Sequence, residues 1–448
     1  MPGIYGGSAV APSTRRALGI ARELQVGQPL LPTNTLPLDA KSYSVEDMPH
    51  FLNDEAIRGQ MALLYNAIIG PEDATFSFGG PNFLDIHGFF LDATFGDLAS
   101  TGSSPANGTN LGGSVATLAI GGTQATIVSA TGYASASTVQ IDTGSVAEIV
   151  VLSTAPSGTL ITFGNNPLRF PHASGATVST VSAPFSHVFA LLNSQLGYGG
   201  VAGAQPPTLS LTDLTNLNYS GSPGTNTSGA RTYPSACVSD ITFTGQADQL
   251  LDIKVTGNSW ISAPASAAPT TTISSVIPVA NWRGQIYIGG TAASNQVFQV
   301  GEWALSVKRQ LQIYHTVQGI QNPYIIARGP LSASLNLAFS VPFDETPLAY
   351  MDYLGYQYIH IVLSNGLSGS SLVKLVVDAH NCQATKSKPG SNSVLIDFAD
   401  EFMMIANSSD AGGSGGLGPL TVTLQNQVAT YAMHPEDGFP PPGTWHLL

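Results

Sequence analysis

Between Ser332 and Val341 the chain alternates without a break. Ala333, Leu335, Leu337, Phe339 and Val341 hold one parity, and Ser332, Ser334, Asn336, Ala338 and Ser340 hold the other. Successive side chains of an extended strand leave on opposite faces, so this run predicts a strand with one face in a core and one small, uncharged face outside it. Shorter Val, Ile and Thr runs between turn residues predict further strands at Ser114–Ile120, Gln124–Val128, Thr138–Ile141, Glu148–Ser153, Thr159–Phe163 and Ala176–Val181. Hairpins are expected over Val238–Thr256, turning near Ala247, and over Leu372–Phe398, turning at Pro389 and Gly390.

Two stretches look like copies offset by about 260 residues. One runs from Ser44 through Phe76 and Phe78 to Gly96, the other from Ser306 through Phe339 and Val341 to Gly355. In each, a strand is followed by a proline (Pro81, Pro342), a candidate helix cap (Asn82, Asp344), a short amphipathic helix and a glycine suited to a left-handed C-cap. Phe83, Ile86 and Phe90 supply the apolar face of the first helix, and Leu348, Met351 and Leu354 that of the second. The expected fold class is therefore mainly β: a pseudo-duplicated β-sandwich or barrel with two short helices and one inserted small all-β module.

Charge density marks that insertion. Ser103 to Ala230 holds only four charged residues in 128, namely Asp142, Glu148, Arg169 and Asp213. The expected organisation is an N-terminal arm (1–37), the first half of the core (38–102), an inserted β module (103–187), a long Gly/Ser/Pro-rich loop (188–232), the second half of the core (233–430) and a C-terminal arm (431–448). The arms, with Trp445 and Leu448 in the last, either dock on a neighbouring subunit or pack on their own domain.

Composition narrows the function. Only 10% of the residues are charged and the formal net charge is −13, against about 25% charged in an ordinary soluble domain. The surface must then be built from Ser, Thr, Asn, Gln and Gly. With 43% hydrophobic residues the chain buries large cores and is not disordered. The deficit of Lys and Arg excludes a protein that grips nucleic acid by its phosphates. The apolar runs are strand-sized, so no membrane helix and no membrane partner are expected. Met1–Ser13 has no basic segment ahead of an apolar one, so export by a signal peptide is not expected. Cys237 and Cys382 give no metal spacing; they are two buried thiols or a pair that meets in the fold.

Catalytic motifs are nearly absent. Gly412–Gly416 and Gly413–Gly418 match the nucleophile-elbow and dinucleotide patterns only formally, because both need a strand before and a helix after. Asp378 and His380, with His360 and Cys382, make a site only if their strands pair. The acidic pairs Glu46–Asp47, Asp54–Glu55, Glu72–Asp73 and Asp400–Glu401 put adjacent carboxylates on opposite faces of any strand. No catalytic residue, metal ligand or cofactor is expected, and no enzyme.

Several segments resemble a known family. Gly19–Glu23, Gly27, Pro29–Leu38 and Tyr43–Gly59 are similar to the opening of major tail tube proteins of long-tailed, siphovirus-type bacteriophages, notably those of actinobacterial hosts. Tyr233–Phe243 with Leu250–Gly257 resembles the family's central hairpin, and Pro171–Val181 the end of its inserted module. The resemblance implies a virion structural protein, made and assembled in the host cytoplasm, with six copies per ring. Rings would stack into a tube that ends on other tail proteins and passes genomic DNA without holding it. It implies ring-to-ring contacts by the loop from Asp47 to Glu55 and its counterpart around Tyr314 to Asn322, with Glu46, Asp47, His50, Phe51, Asn53, Asp54, Tyr314, Gln318, Asn322, Trp445 and Leu448 as candidates. Ser332, Ser334 and Asn336 are the candidates for the bore. The rival expectation is a tail-associated β protein that binds or degrades glycans.

Overall fold

Strands form almost everywhere the alternation runs. The computed structural model describes residues 16–23, 26–27, 29, 34–36, 43–55, 64–112, 117–119, 122–164, 168–191, 205–214, 229–265, 274, 276–317, 319–340, 355–391, 396–410 and 418–431. In chain order they form β1 (Ala17–Arg22), β2 (Asn34–Leu36), β3 (Ser44–Asp54), β4 (Asn66–Pro81), the helix α1 (Gly88–Phe95), β5 (Gly96–Asn110), β6 (Thr117–Leu118), β7 (Gln124–Thr126), β8 (Thr138–Ile141), β9 (Glu148–Val151), β10 (Leu160–Thr162), β11 (His172–Ala173) and β12 (Thr177–Leu191). They continue with β13 (Leu209–Leu214), β14 (Ala230–Gln246), β15 (Asp252–Ser259), β16 (Ala263–Pro264), β17 (Gln285–Ile288), β18 (Gln296–Val297), β19 (Val300–Tyr314), β20 (Ile325–Ser340), β21 (Gln357–Ser364), β22 (Lys374–Ser391), β23 (Ile396–Met404) and β24 (Thr421–Asn426). The protein is mainly β, with one α-helix among the described residues.

Two antiparallel limbs make the body. The first runs β3–β4–β15–β14–β19–β20–β23–β22, and the second runs β18–β17–β21–β22–β24–β12–β5. β22 belongs to both, pairing with β21 and β24 along its first part and with β23 from Cys382 to Ser391. The facing sides share one apolar cluster, in which Phe78, Phe243, Leu305, Leu335 and Phe402 of the first limb join Phe189, Ile361, Leu375 and Val422 of the second. Each such side chain contributes about 1.5–3 kcal/mol by leaving water. In β20 the expected faces separate: Ala333, Leu335, Leu337 and Phe339 are buried, while Ser332, Asn336 and Ser340 are exposed.

The α1 helix sits where β14, β5, β12 and β1 converge. Gly96 caps it with φ 95° and an N–H to the Asp92 carbonyl, as the glycine predicts. Its start differs from expectation. The helix begins at Gly88 rather than after Asn82, whose amide oxygen instead meets His87 Nδ1 at 2.5 Å. All eight residues are buried, so the helix is not amphipathic but surrounded. A helix enclosed in this way must find partners for its last carbonyls inside the protein. Arg309 Nε donates to the Thr94 carbonyl at 2.6 Å and Arg169 Nη2 to that of Gly96 at 2.8 Å. Gly88 has no room for a side chain, since a Cβ there would fall 2.2 Å from the Tyr431 ring.

Four expectations on the rest of the chain are corrected or left open. The N-terminal arm (1–37) is partly core: Leu18 and Ile20 are fully buried in β1, which pairs with β13 and β2. Glu23 then closes this seam, its carboxylate accepting from the Thr208 and Ser210 hydroxyls and the Ser235 N–H. The long loop (188–232) contains the end of β12 and all of the buried β13, because Leu209 and Leu211 alternate with Ser210 and Thr212 that bond across strands. Pro389 and Gly390 do not turn the chain; β22 continues to Ser391, with Pro389 opposite Phe398, and a proline is tolerated because this stretch has only β23 beside it among the described residues. The second expected helix, Asp344 to Leu354, lies outside the described residues.

Residues between Leu111 and Val178 hold a second apolar cluster, including Val139, Ile141, Val150, Leu152, Ile161 and Phe163. Strands stand at all six of the expected positions, at Thr117–Leu118, Gln124–Thr126, Thr138–Ile141, Glu148–Val151, Leu160–Thr162 and from Thr177 onward. One charge cluster supports it. Glu148 accepts from the Arg169 and Phe170 N–H groups at 2.6 Å and from His172 Nε2 at 2.8 Å, while His172 Nδ1 lies 3.2 Å from Asp142 Oδ2. Both ring nitrogens face carboxylates, so both carry protons and His172 is an imidazolium. Burial alone would lower its pKa, but the hydrogen bonds and charges of Glu148 and then Asp142 outweigh that and raise it. Its stabilisation is complete below the unfolded value of about 6.5 and disappears as pH rises through the raised value. Urea unfolding of wild type and His172→Gln should therefore differ most near pH 6 and converge at alkaline pH; a constant difference would contradict the imidazolium.

Candidate assembly surface

The β3–β4 hairpin begins inside the first limb and ends outside it. From Ser44 to Asp47 it lies in the sheet, with β4 paired to β15 on its far side. Beyond Met48, β3 and β4 pair only with each other among the described residues, with Phe51 opposite Ile69 and Leu52 opposite Ile68. Neighbouring residues on a strand point to opposite faces, so each face of this ribbon presents an apolar pair. Phe51 is 56% exposed, Leu52 58%, Ile68 57% and Ile69 54%. A two-stranded ribbon is marginal in water even with one face covered. Here both faces leave their apolar pair more than half exposed.

A second hairpin braces the first. The β19–β20 hairpin ends at Tyr314 and Ile325, and its tip residue Gln321 accepts from the Glu72 N–H at 3.0 Å and donates its amide to the Gly70 carbonyl at 3.1 Å. Within the ribbon Gly70 lets β4 lie close against β3, since a Cβ would lie 3.0 Å from Leu52 Cγ and 3.1 Å from the His50 carbonyl. Tyr314, Val317, Ile320 and Tyr324 add exposed apolar surface beside the ribbon. With the apolar pairs on the two faces of the ribbon, eight large apolar side chains are thus exposed on the two hairpins.

The outer face of the first limb has another character. In register across its strands run Ser334, Ser306, Thr242 and Lys254, then Asn336, Ala304, Thr244 and Asp252. The same face carries Glu46, Asp240, Asp252, Glu302, Asp397 and Glu401 against Lys254, Lys308, Lys386 and Lys388, an excess of two carboxylates.

Of the residues expected in ring contacts, His50, Phe51, Asn53 and Asp54 lie on the projecting ribbon, which is paired strand and not the loop expected from Asp47 to Glu55. Tyr314 and Asn322 lie at the second hairpin. Two others are engaged within the subunit: Asp47 accepts from the Ser262 N–H and hydroxyl at 2.8 and 2.7 Å, and Glu46 from the Ser44 hydroxyl at 2.7 Å. His50 Nε2 is 2.6 Å from Asp73 Oδ1. Gln318, Trp445 and Leu448 lie outside the described residues. Sequence reasoning missed Leu52, Ile68, Ile69, Val317 and Tyr324; the unbroken apolar pairs Phe51–Leu52 and Ile68–Ile69, which violate alternation, were the available signal.

The other candidate chemistry resolves into structural contacts. His360 and Asp378 do meet across β21 and β22, at 2.6 Å, and Tyr358 bonds the same carboxylate. Burial pushes the Asp378 pKa up, but these hydrogen bonds bring it below its ordinary value. His380 Nδ1 turns to Asp410 at 2.5 Å, and a register shift sends Cys382 into the core, where burial pushes its thiol up to about 12. Both cysteines are free. Asp400 is buried and Glu401 exposed, on opposite faces of β23. The glycine-rich run 411–417 lies outside the described residues. Among the described residues no cluster of three or more His, Cys, Asp or Glu is placed to hold a metal, and no helix is long and apolar enough to cross a membrane. No family model matches the chain, and no curated protein matches it.

Proposed function

We propose that the protein is a structural subunit of a phage tail tube, six copies closing each ring and the stacked rings enclosing a lumen for genomic DNA. The observation that carries this reading is the braced ribbon bearing Phe51, Leu52, Ile68 and Ile69, apolar on both faces and far too exposed for a chain that stays alone. A second copy is the fitting cover. Among the described residues β3 pairs only with β4, and Gln383–Ser391 only with β23, so the same limb also offers two strand edges. Edge pairing around a ring removes both, and a ribbon that enters a different surface of the next copy builds an open filament.

The small polar face carrying Ser332, Ser334 and Asn336 is the proposed lumen. Its slight carboxylate excess suits passage, because a wall that neutralised phosphates would release counterions and hold the DNA. In this reading the protein resides in the virion tail. Negative-stain microscopy of the purified full-length chain is expected to show hollow tubes of uniform width with a regular axial repeat; discrete globules at every concentration would overturn the reading. The soluble subunit is also expected to show no DNA retention in a gel-shift series from low to physiological salt. Retention that weakens steeply with added salt would remove the lumen assignment.

A further inference from the structure

Away from the ribbon, Trp282 stands between two clefts. It lies in the short 3-10 turn Asn281–Arg283 before β17 and is 67% exposed. A cleft of about 330 Å³ on one side is lined by Asn281, Gln296, Phe298 and Trp303 among others. A cleft of about 490 Å³ on the other is lined by Ile277, Asn365, Leu367, Ser371 and Gln427. Both volumes fall in the range of small-molecule sites.

The ring is held in place. The Arg283 guanidinium lies 4.7 Å from the Trp282 ring centre and covers one face. Gly366, at φ +73°, makes room for it, because a Cβ there would fall 1.8 Å from Arg283 Nη1. Phe298, 81% exposed, presents a second aromatic surface at the rim of the smaller cleft. Asn281 is only 7% exposed, yet neither its amide oxygen nor its amide nitrogen has a hydrogen-bond partner. Gly245 lets the Trp303 indole and the Asn281 amide pack side by side, since a Cβ there would lie 2.1 Å from Trp303 Nε1 and 2.6 Å from Asn281 Oδ1. A buried amide without partners is costly, so a group that both donates and accepts is favoured there.

The lining selects the ligand class. Among the described residues the smaller cleft has no charged side chain, which offers nothing to a phosphate, carboxylate or ammonium, and the larger has only Arg283, whose guanidinium is taken up by the Trp282 ring. Its polar groups are the amides of Asn281 and Gln296, which pair with hydroxyls that donate and accept at once. Exposed aromatic rings beside amides suit a molecule with apolar C–H faces and hydroxyl edges. Because Trp282 lines both clefts, a ligand of more than one unit can straddle it. We propose that the two clefts around Trp282 bind a neutral oligosaccharide. The inference does not depend on tube assembly.

The test is isothermal titration calorimetry of the full-length protein with maltotetraose, cellotetraose, mannotetraose and triacetylchitotriose, to about 5 mM, where a millimolar site is mostly filled. Saturable heat with at least one sugar is expected, weakened at least tenfold in Trp282→Ala, whose exposed side chain leaves the fold intact. Gly366→Ala, which displaces Arg283, should weaken it as well. No saturable heat with any of the four, or equal binding by Trp282→Ala, overturns the proposal. So does self-association that Trp282→Ala abolishes without sugar present, because the face would then be a contact between copies.

Discussion

A chain carrying Phe51→Lys together with Ile69→Glu is expected to fold normally and to form no tubes. The two positions face each other directly across the ribbon, so the exchange replaces an apolar pair by an ion pair and leaves the hairpin register intact. Both side chains are more than half exposed in the single subunit, so its thermal midpoint should stay within a degree or two of wild type. Assembly has to bury them. Loss of two apolar side chains at about 1.5–3 kcal/mol each, and introduction of charge into the contact, raises the concentration needed for assembly at least about 100-fold. Sedimentation and negative-stain microscopy read the result. Tubes at wild-type concentrations, with the variant folded by circular dichroism, would show that the ribbon is not the contact.

Replacing Arg309 by methionine is expected to cause the largest loss of stability among single polar substitutions. Arg309 is 6% exposed and donates to the carbonyls of Thr94, Phe95 and Gly329, at 2.6, 3.4 and 2.9 Å. Two of these are the last carbonyls of α1, which burial cuts off from water. Methionine fills the space and orphans all three, a cost of about 3 kcal/mol or more after relief of the buried charge. Lysine should rescue little. Burial, and next the charge of Arg328, already push the Arg309 pKa down to about 10. A lysine starts about two units lower than arginine and has no planar fork to reach separate carbonyls. Urea unfolding of wild type, Arg309→Met and Arg309→Lys measures this; a loss below about 1 kcal/mol for methionine would mean that water reaches the helix end.

The strands were legible where one face is buried and the other is small and polar. β20 is the clearest case, and the β14–β15 hairpin turns where Ala247 predicted. Reading failed where a segment's partner is remote in sequence. The polar alternation of Leu209–Leu214 looks like loop until β1 and β14 flank it, some 190 residues upstream and 20 downstream. Of Phe83, Ile86 and Phe90, read as the apolar face of the first helix, only Phe90 lies in α1; the first two precede it, and composition does not reveal that β1, β5, β12 and β14 enclose the helix. The candidate surface was half visible. Its acidic and polar residues drew notice as loop charges, yet Asp47 binds Ser262 and the apolar pairs between them define the exposed ribbon.

The strand shared by both limbs has a mechanical consequence. Two sheets joined only by loops can slide or hinge past each other by repacking side chains. Here the 18-residue β22 passes from one limb into the other, bonded to β21 and β24 over Lys374–Cys382 and to β23 over Cys382–Ser391. Sliding of one limb past the other would have to bend this continuous strand or break the ladder on one of its halves. The body is therefore a stiff strut, and bending is left to the two projecting hairpins, braced against each other by Gln321 alone among the backbone-linked contacts described above.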